Sequence, residues 1–102
     1  MLVSPFEEER ARISDRLEKL NGELRNVSAM MEEFKIKYVR PAMQIRSPTS
    51  AQLFFLNALI QQATNFSIAF FELKKTYNEE QEKIKEVDNR ETIHNELAKF
   101  NM

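Results

Sequence analysis

Residues 13–38 read ISDRLEKLNGELRNVSAMMEEFKIKY, and the apolar side chains of this stretch decide the fold. Ile13, Leu17, Leu20, Leu24, Val27, Met31, Phe34 and Tyr38 follow one another at steps that alternate four and three. That spacing lays them on one stripe of an α-helix, the heptad seam of a left-handed coiled coil. Asn21-Gly22 would ordinarily mark a turn. Here the seam passes through it in phase, and a turn would throw the downstream apolar residues out of phase. One continuous helix is therefore expected.

Working outward, Ser4-Pro5-Phe6-Glu7 has a capping serine, proline at the first helical position and a glutamate three residues after the serine, so the helix should start at residue 5. Pro41 disfavours helical geometry in the residue before it, which places the end near Arg40. A loop over 41–49 follows. A second helix over 50–87 is capped by Ser47 or by the box Thr49-x-x-Gln52. Its seam is Leu56, Leu59, Ala63, Phe66, Phe70, Leu73, Tyr77, Glu80, Ile84 and Val87. Asp88-Asn89-Arg90-Glu91 reads as a fresh cap, and Ile93, Leu97 and Phe100 run in a different phase, which predicts a short third helix over 89–100. The chain is thus read as one all-α domain, a long antiparallel two-helix hairpin with a short C-terminal helix.

Between Phe6 and Val87 the seams are interrupted by charge only at Arg10 and Glu80. Folding the hairpin so that Phe34 meets Leu56, Leu24 meets Phe66 and Ile13 meets Tyr77 gives pairs whose residue numbers sum to 90, and Arg10 with Glu80 sums to 90 as well. A charged pair inside a seam contributes little net stability but can fix register, because breaking it strands a charge. Arg10 and Glu80 are predicted to be that register pair.

Composition agrees with long helices. The chain has 102 residues, 42% hydrophobic and 30% charged, with one Gly and three Pro, too few turn formers for a sandwich or barrel. Net charge is −1, which gives no global attraction to nucleic acid or to an anionic membrane. Without cysteine there is no disulfide and no thiolate metal site. Met1-Leu2-Val3-Ser4-Pro5 lacks the basic start and apolar core of a signal peptide. Leu53–Leu73 is the most apolar stretch, but Asn57, Gln61, Gln62, Asn65 and Glu72 are too many polar groups for a membrane span. A cytoplasmic location is the default expectation.

A two-helix pair buries one stripe per helix, usually too little to offset chain entropy. A second apolar set lies off the seams, with Met30, Ile36, Leu53, Phe54, Phe55, Ile60, Ile68 and Phe71 as its main members. Exposed together, such side chains make a larger patch than soluble monomers usually carry. The plain reading is the core of a homodimeric helical bundle. The sharper one is a groove for a helical protein partner.

Catalytic constellations are weak. Glu91-Thr92-Ile93-His94 has the Glu-x-x-His spacing of di-iron bundles. Such a bundle also needs an inward glutamate on each partner helix, and this motif lies beyond the hairpin overlap, so the expectation is no metal and no cofactor. His94 is the only histidine, and one glycine cannot make a phosphate loop. Lys35, Lys37, Arg40 and Arg46 cluster near the loop. Cations belong at a helix C-terminus on dipole grounds alone. The functional alternative is an anion-binding tip for phosphate or nucleic acid, with only a modest non-specific affinity. The function read from the sequence is accordingly a non-enzymatic helical interaction module.

Overall fold

The structure is a computed structural model that describes residues 4–101. Met1-Leu2-Val3, part of the segment searched for a targeting signal, lie outside the described residues. The described residues are helical and contain no strand: α1 spans Pro5–Phe34, a π-helical turn spans Lys35–Val39, α2 spans Arg40–Ala42, and α3 spans Ser50–Lys99. No helix among them is long and apolar enough to cross a membrane.

The starts of the two long helices, α1 and α3, are explained by their caps. The Phe6 amide donates to the Ser4 hydroxyl at 3.2 Å, and Glu7 and Glu8 follow in the first turn, where the helix dipole favours negative charge. At α3 the box is complete. The Gln52 amide donates to the Thr49 hydroxyl at 3.2 Å, while the Thr49 amide donates to the Gln52 side-chain oxygen at 2.8 Å. Of the two caps weighed, Thr49 is the one used.

The first helix does not stop at Arg40. Proline has no amide hydrogen, and its ring collides with the carbonyl four residues back. The chain accommodates Pro41 by widening the turn ahead of it: the Arg40 amide donates to the Lys35 carbonyl, a five-residue step. Helical geometry then continues to Ala42, and the loop shrinks to 43–49. The wide turn also moves the seam by one residue, so Val39 is half-buried and the expected Tyr38 is exposed.

The short third helix is likewise absent as a separate element, because α3 runs unbroken through Asp88–Glu91. Asp88 does not cap. Its carboxylate takes an ion pair from Arg10, and its carbonyl accepts the Thr92 hydroxyl at 2.9 Å. Change of phase after Val87 marks the end of the seam, not of the helix.

The chain divides into two units. The terminal unit comprises Met1–Asn21 and Lys75–Met102, and the central unit comprises Gly22–Lys74. In the terminal unit the start of α1 lies antiparallel to the end of α3. Arg16 meets Glu80 at 3.0 Å, Glu9 meets Arg90 at 2.7 Å, and the Phe6 and His94 rings lie 5.7 Å apart. Ile13 and Val87 are its fully buried side chains. In the central unit Leu24 is buried, and the Phe34 and Phe66 rings pack at 5.5 Å.

Gly22 sits within α1 without a turn, its φ is not positive, and a Cβ there would meet nothing within 4 Å. Glycine inside a helix carries excess unfolded-state entropy. Gly22→Ala is therefore expected to raise stability by about 1 kcal/mol, read as a higher denaturant midpoint at unchanged slope.

Candidate interaction surface

The charged residues predicted to set register do not meet. Arg10 donates to Asp88 at 3.0 Å and to Glu91 at 3.1 Å, and these hydrogen bonds, Glu91 first, hold the guanidinium pKa above its ordinary value. Glu80 accepts from Lys83 at 2.7 Å and from Arg16 at 3.0 Å, which keep its carboxyl below the usual range. Contacting pairs in the terminal unit have residue numbers summing to 96–101 instead of 90. The Phe34 ring likewise packs on Phe66, a pair whose numbers sum to 100. The expected register assumed that a charge slipped by one heptad would lose its partner. The flanking positions defeat that assumption, because long side chains reach Asp88, Glu91, Arg16 and Lys83 beside the seam.

The eight residues assigned to a partner or dimer interface, Met30, Ile36, Leu53, Phe54, Phe55, Ile60, Ile68 and Phe71, are all exposed. Helical periodicity sorts those on α3. Leu53 and Phe71 are 18 residues apart, five full turns, and Ile60 falls between them at a step of seven, so the three share one line along the helix. Asn57, Thr64 and Ser67 complete that stripe. Ile68 and Phe54 lie progressively outward from it, and Phe55 lies on the opposite flank of the seam.

Beside the stripe the central unit opens an apolar groove of about 300 Å³, walled by Val39, Ala42 and Met43 on one side and by Leu56, Leu59 and Ile60 on the other. A second hollow of about 150 Å³ adjoins it and shares Val39 and Ala63, with Met31, Phe34 and Phe66 at its walls. The π-turn has a part in both, since it is what aims Val39 inward. Ile60 belongs to the groove and to the stripe alike.

The environment of this face is unusual in one respect. The first 22 residues of α3, Ser50–Phe71, carry no charged side chain, whereas 14 of the following 28 are charged. Yet 17 of those 22 are exposed. Solvated helix surfaces are ordinarily charged, while the cores of protein interfaces are depleted in charge. The polar groups that remain are partly satisfied within the helix: Gln61 donates to Asn65 at 3.1 Å, and the Thr64 hydroxyl donates to the Ile60 carbonyl at 2.9 Å.

The possible anion-binding residues Lys35, Lys37, Arg40 and Arg46 are exposed in the same unit. Lys37 is engaged by Glu33 one turn away, which raises the lysine pKa and lowers that of the glutamate. Glu91 of the Glu-x-x-His pair is taken by Arg10, and the His94 ring packs on Phe6. Among the described residues no group of three or more His, Cys, Asp or Glu side chains could hold a metal ion. No protein-family model, curated protein or solved structure matches this chain.

Proposed function

We propose that this chain is a non-enzymatic helical interaction module, an adaptor, chaperone-like protein or assembly factor built as a helical hairpin, and that it acts through the apolar face of α3. The observation that carries this reading is the exposed, uncharged first half of α3, with Leu53, Ile60 and Phe71 in line beside an apolar groove. Helix-in-groove recognition uses such in-line apolar anchors. The phosphate or nucleic-acid reading draws on Lys35, Lys37, Arg40 and Arg46, but one of these four is already held by Glu33. It would require salt-sensitive binding to a generic oligonucleotide.

A photo-cross-linking side chain placed at Phe54 or Ile60 tests the proposal against one placed at Glu18, which is exposed on α1. Cross-linked products are expected from the two α3 sites and not from Glu18. Equal yields from all three sites, or none from any, would remove the support for an interaction face.

A further inference from the structure

Resting on that reading of α3, we infer that the occupant of the uncharged face is a second copy of this chain, bound antiparallel about a two-fold axis that crosses the stripe midway between Leu53 and Phe71. Three observations lead there. The first is charge. In a two-fold dimer the same patch appears on both sides, so a charge near the axis would face its own image. Ser50–Phe71 satisfies this requirement by having none, and the surface offers a foreign partner no charge by which to be steered or selected.

The second is the order of residues along the stripe. Leu53 and Phe71, Asn57 and Ser67, and Ile60 and Thr64 are each placed symmetrically about residue 62. Antiparallel pairing of two α3 helices at that register sets Leu53 against Phe71 of the other copy, amide against hydroxyl at Asn57 and Ser67, and Ile60 against Thr64. Thr64 already has its hydroxyl bonded to the Ile60 carbonyl and enters a dry contact without an orphan donor. Apolar meets apolar at Leu53 and Phe71, polar meets polar at Asn57 and Ser67, and at the centre isoleucine meets a hydroxyl already bonded within its own helix.

The third is area. A standard interface buries roughly 800 Å² per partner. Leu53, Phe54, Ile60, Ile68 and Phe71 are each about half exposed or more, which supplies apolar surface for one. Among the described residues only Ile13, Leu24 and Val87 are buried hydrophobics, so the missing core is one that a second copy would supply.

Sedimentation equilibrium of the full chain across a wide dilution series is expected to give twice the 12.1 kDa chain mass. Phe71→Glu, at a site 70% exposed in the single chain, is expected to leave helical circular dichroism intact and to raise the dimer Kd by about 100-fold. Adding Leu53→Lys to Phe71→Glu should restore the dimer, because each new lysine then faces a glutamate of the other copy. In a parallel dimer the same double variant would set like charges together. The chain has no cysteine, which permits a check independent of those charges. Leu53→Cys mixed with Phe71→Cys should cross-link to each other, and Leu53→Cys alone should not. A wild-type chain that stays monomeric at the top of the series overturns the inference, as does failure of the double variant to recover the dimer or self-cross-linking by Leu53→Cys alone. A monomer that still cross-links to another protein from Ile60 leaves the interaction reading standing while removing the second copy. A monomer with no such products removes both.

Discussion

Ile13→Ala is expected to destabilise the protein by about 3 kcal/mol, the largest loss from any single truncation in α1. Ile13 is 2% exposed, and it and Val87 are the two fully buried side chains of the terminal unit. Removing three carbons from such a site forfeits their transfer free energy and leaves a cavity whose lining loses its contacts. A pair of helices has few other side chains to collapse into the gap. Leu17, one turn on and only half-buried, provides the control. Its truncation should cost roughly half as much, since part of its surface is already in water. Both are read as denaturant midpoints at one fixed protein concentration, because association would make stability concentration-dependent. A loss below about 1 kcal/mol at Ile13 would mean that the layer is not packed as the structure has it.

How much of this was legible in the residues can be argued position by position. From Leu53 to Val87 the only residues that are not exposed are the ten seam positions expected from the four-three spacing. Periodicity of that kind is a property of each helix alone, and it needs no knowledge of the partner. The exposed status of Leu53, Ile60 and Phe71 follows from the same wheel. Register is different. Two heptad seams match at any offset of seven, so the apolar pattern is silent, and the choice falls to charges whose long side chains reach sideways. Arg10 has acidic partners in Asp88 and Glu91 that a layer-by-layer pairing does not consider. The π-turn was hidden for another reason. Pro41 reads as a stop in sequence, whereas a widened turn satisfies it at the cost of one residue of phase, which is why Val39 and not Tyr38 faces the groove. The uninterrupted α3 escaped because Asp88 is as good a cap as it is an ion-pair partner, and only the position of Arg10 distinguishes the two.

Glu80→Leu is expected to stabilise the protein by about 1–2 kcal/mol, although it removes a nearly buried ion pair. Glu80 occupies a seam position and its side chain is 10% exposed, while its partners Arg16 and Lys83 are each about half exposed. When the carboxylate goes, neither cation is stranded in the interior, and both return to water. Leucine then adds buried apolar area at the one charged seam position of α3 between Leu56 and Val87. Glu80→Gln keeps the shape and loses the charge and its ion pairs, so it should destabilise, and the contrast between the two variants isolates what apolar burial contributes at this seam position. Acid sensitivity supplies a second readout. Hydrogen bonds from Lys83 and Arg16 depress the Glu80 pKa below its unfolded value. The stability it contributes is therefore complete above about pH 4.5 and is lost as pH falls through the folded-state value. Glu9, whose pKa Arg90 lowers, retains its own acid response in every variant. Glu80→Leu should accordingly flatten the acid limb of the stability curve without abolishing it. If the leucine variant proves less stable than the wild type at pH 7, the ion pair with Arg16 contributes more than its desolvation costs, and Glu80 is then a stabilising residue of the seam in its own right.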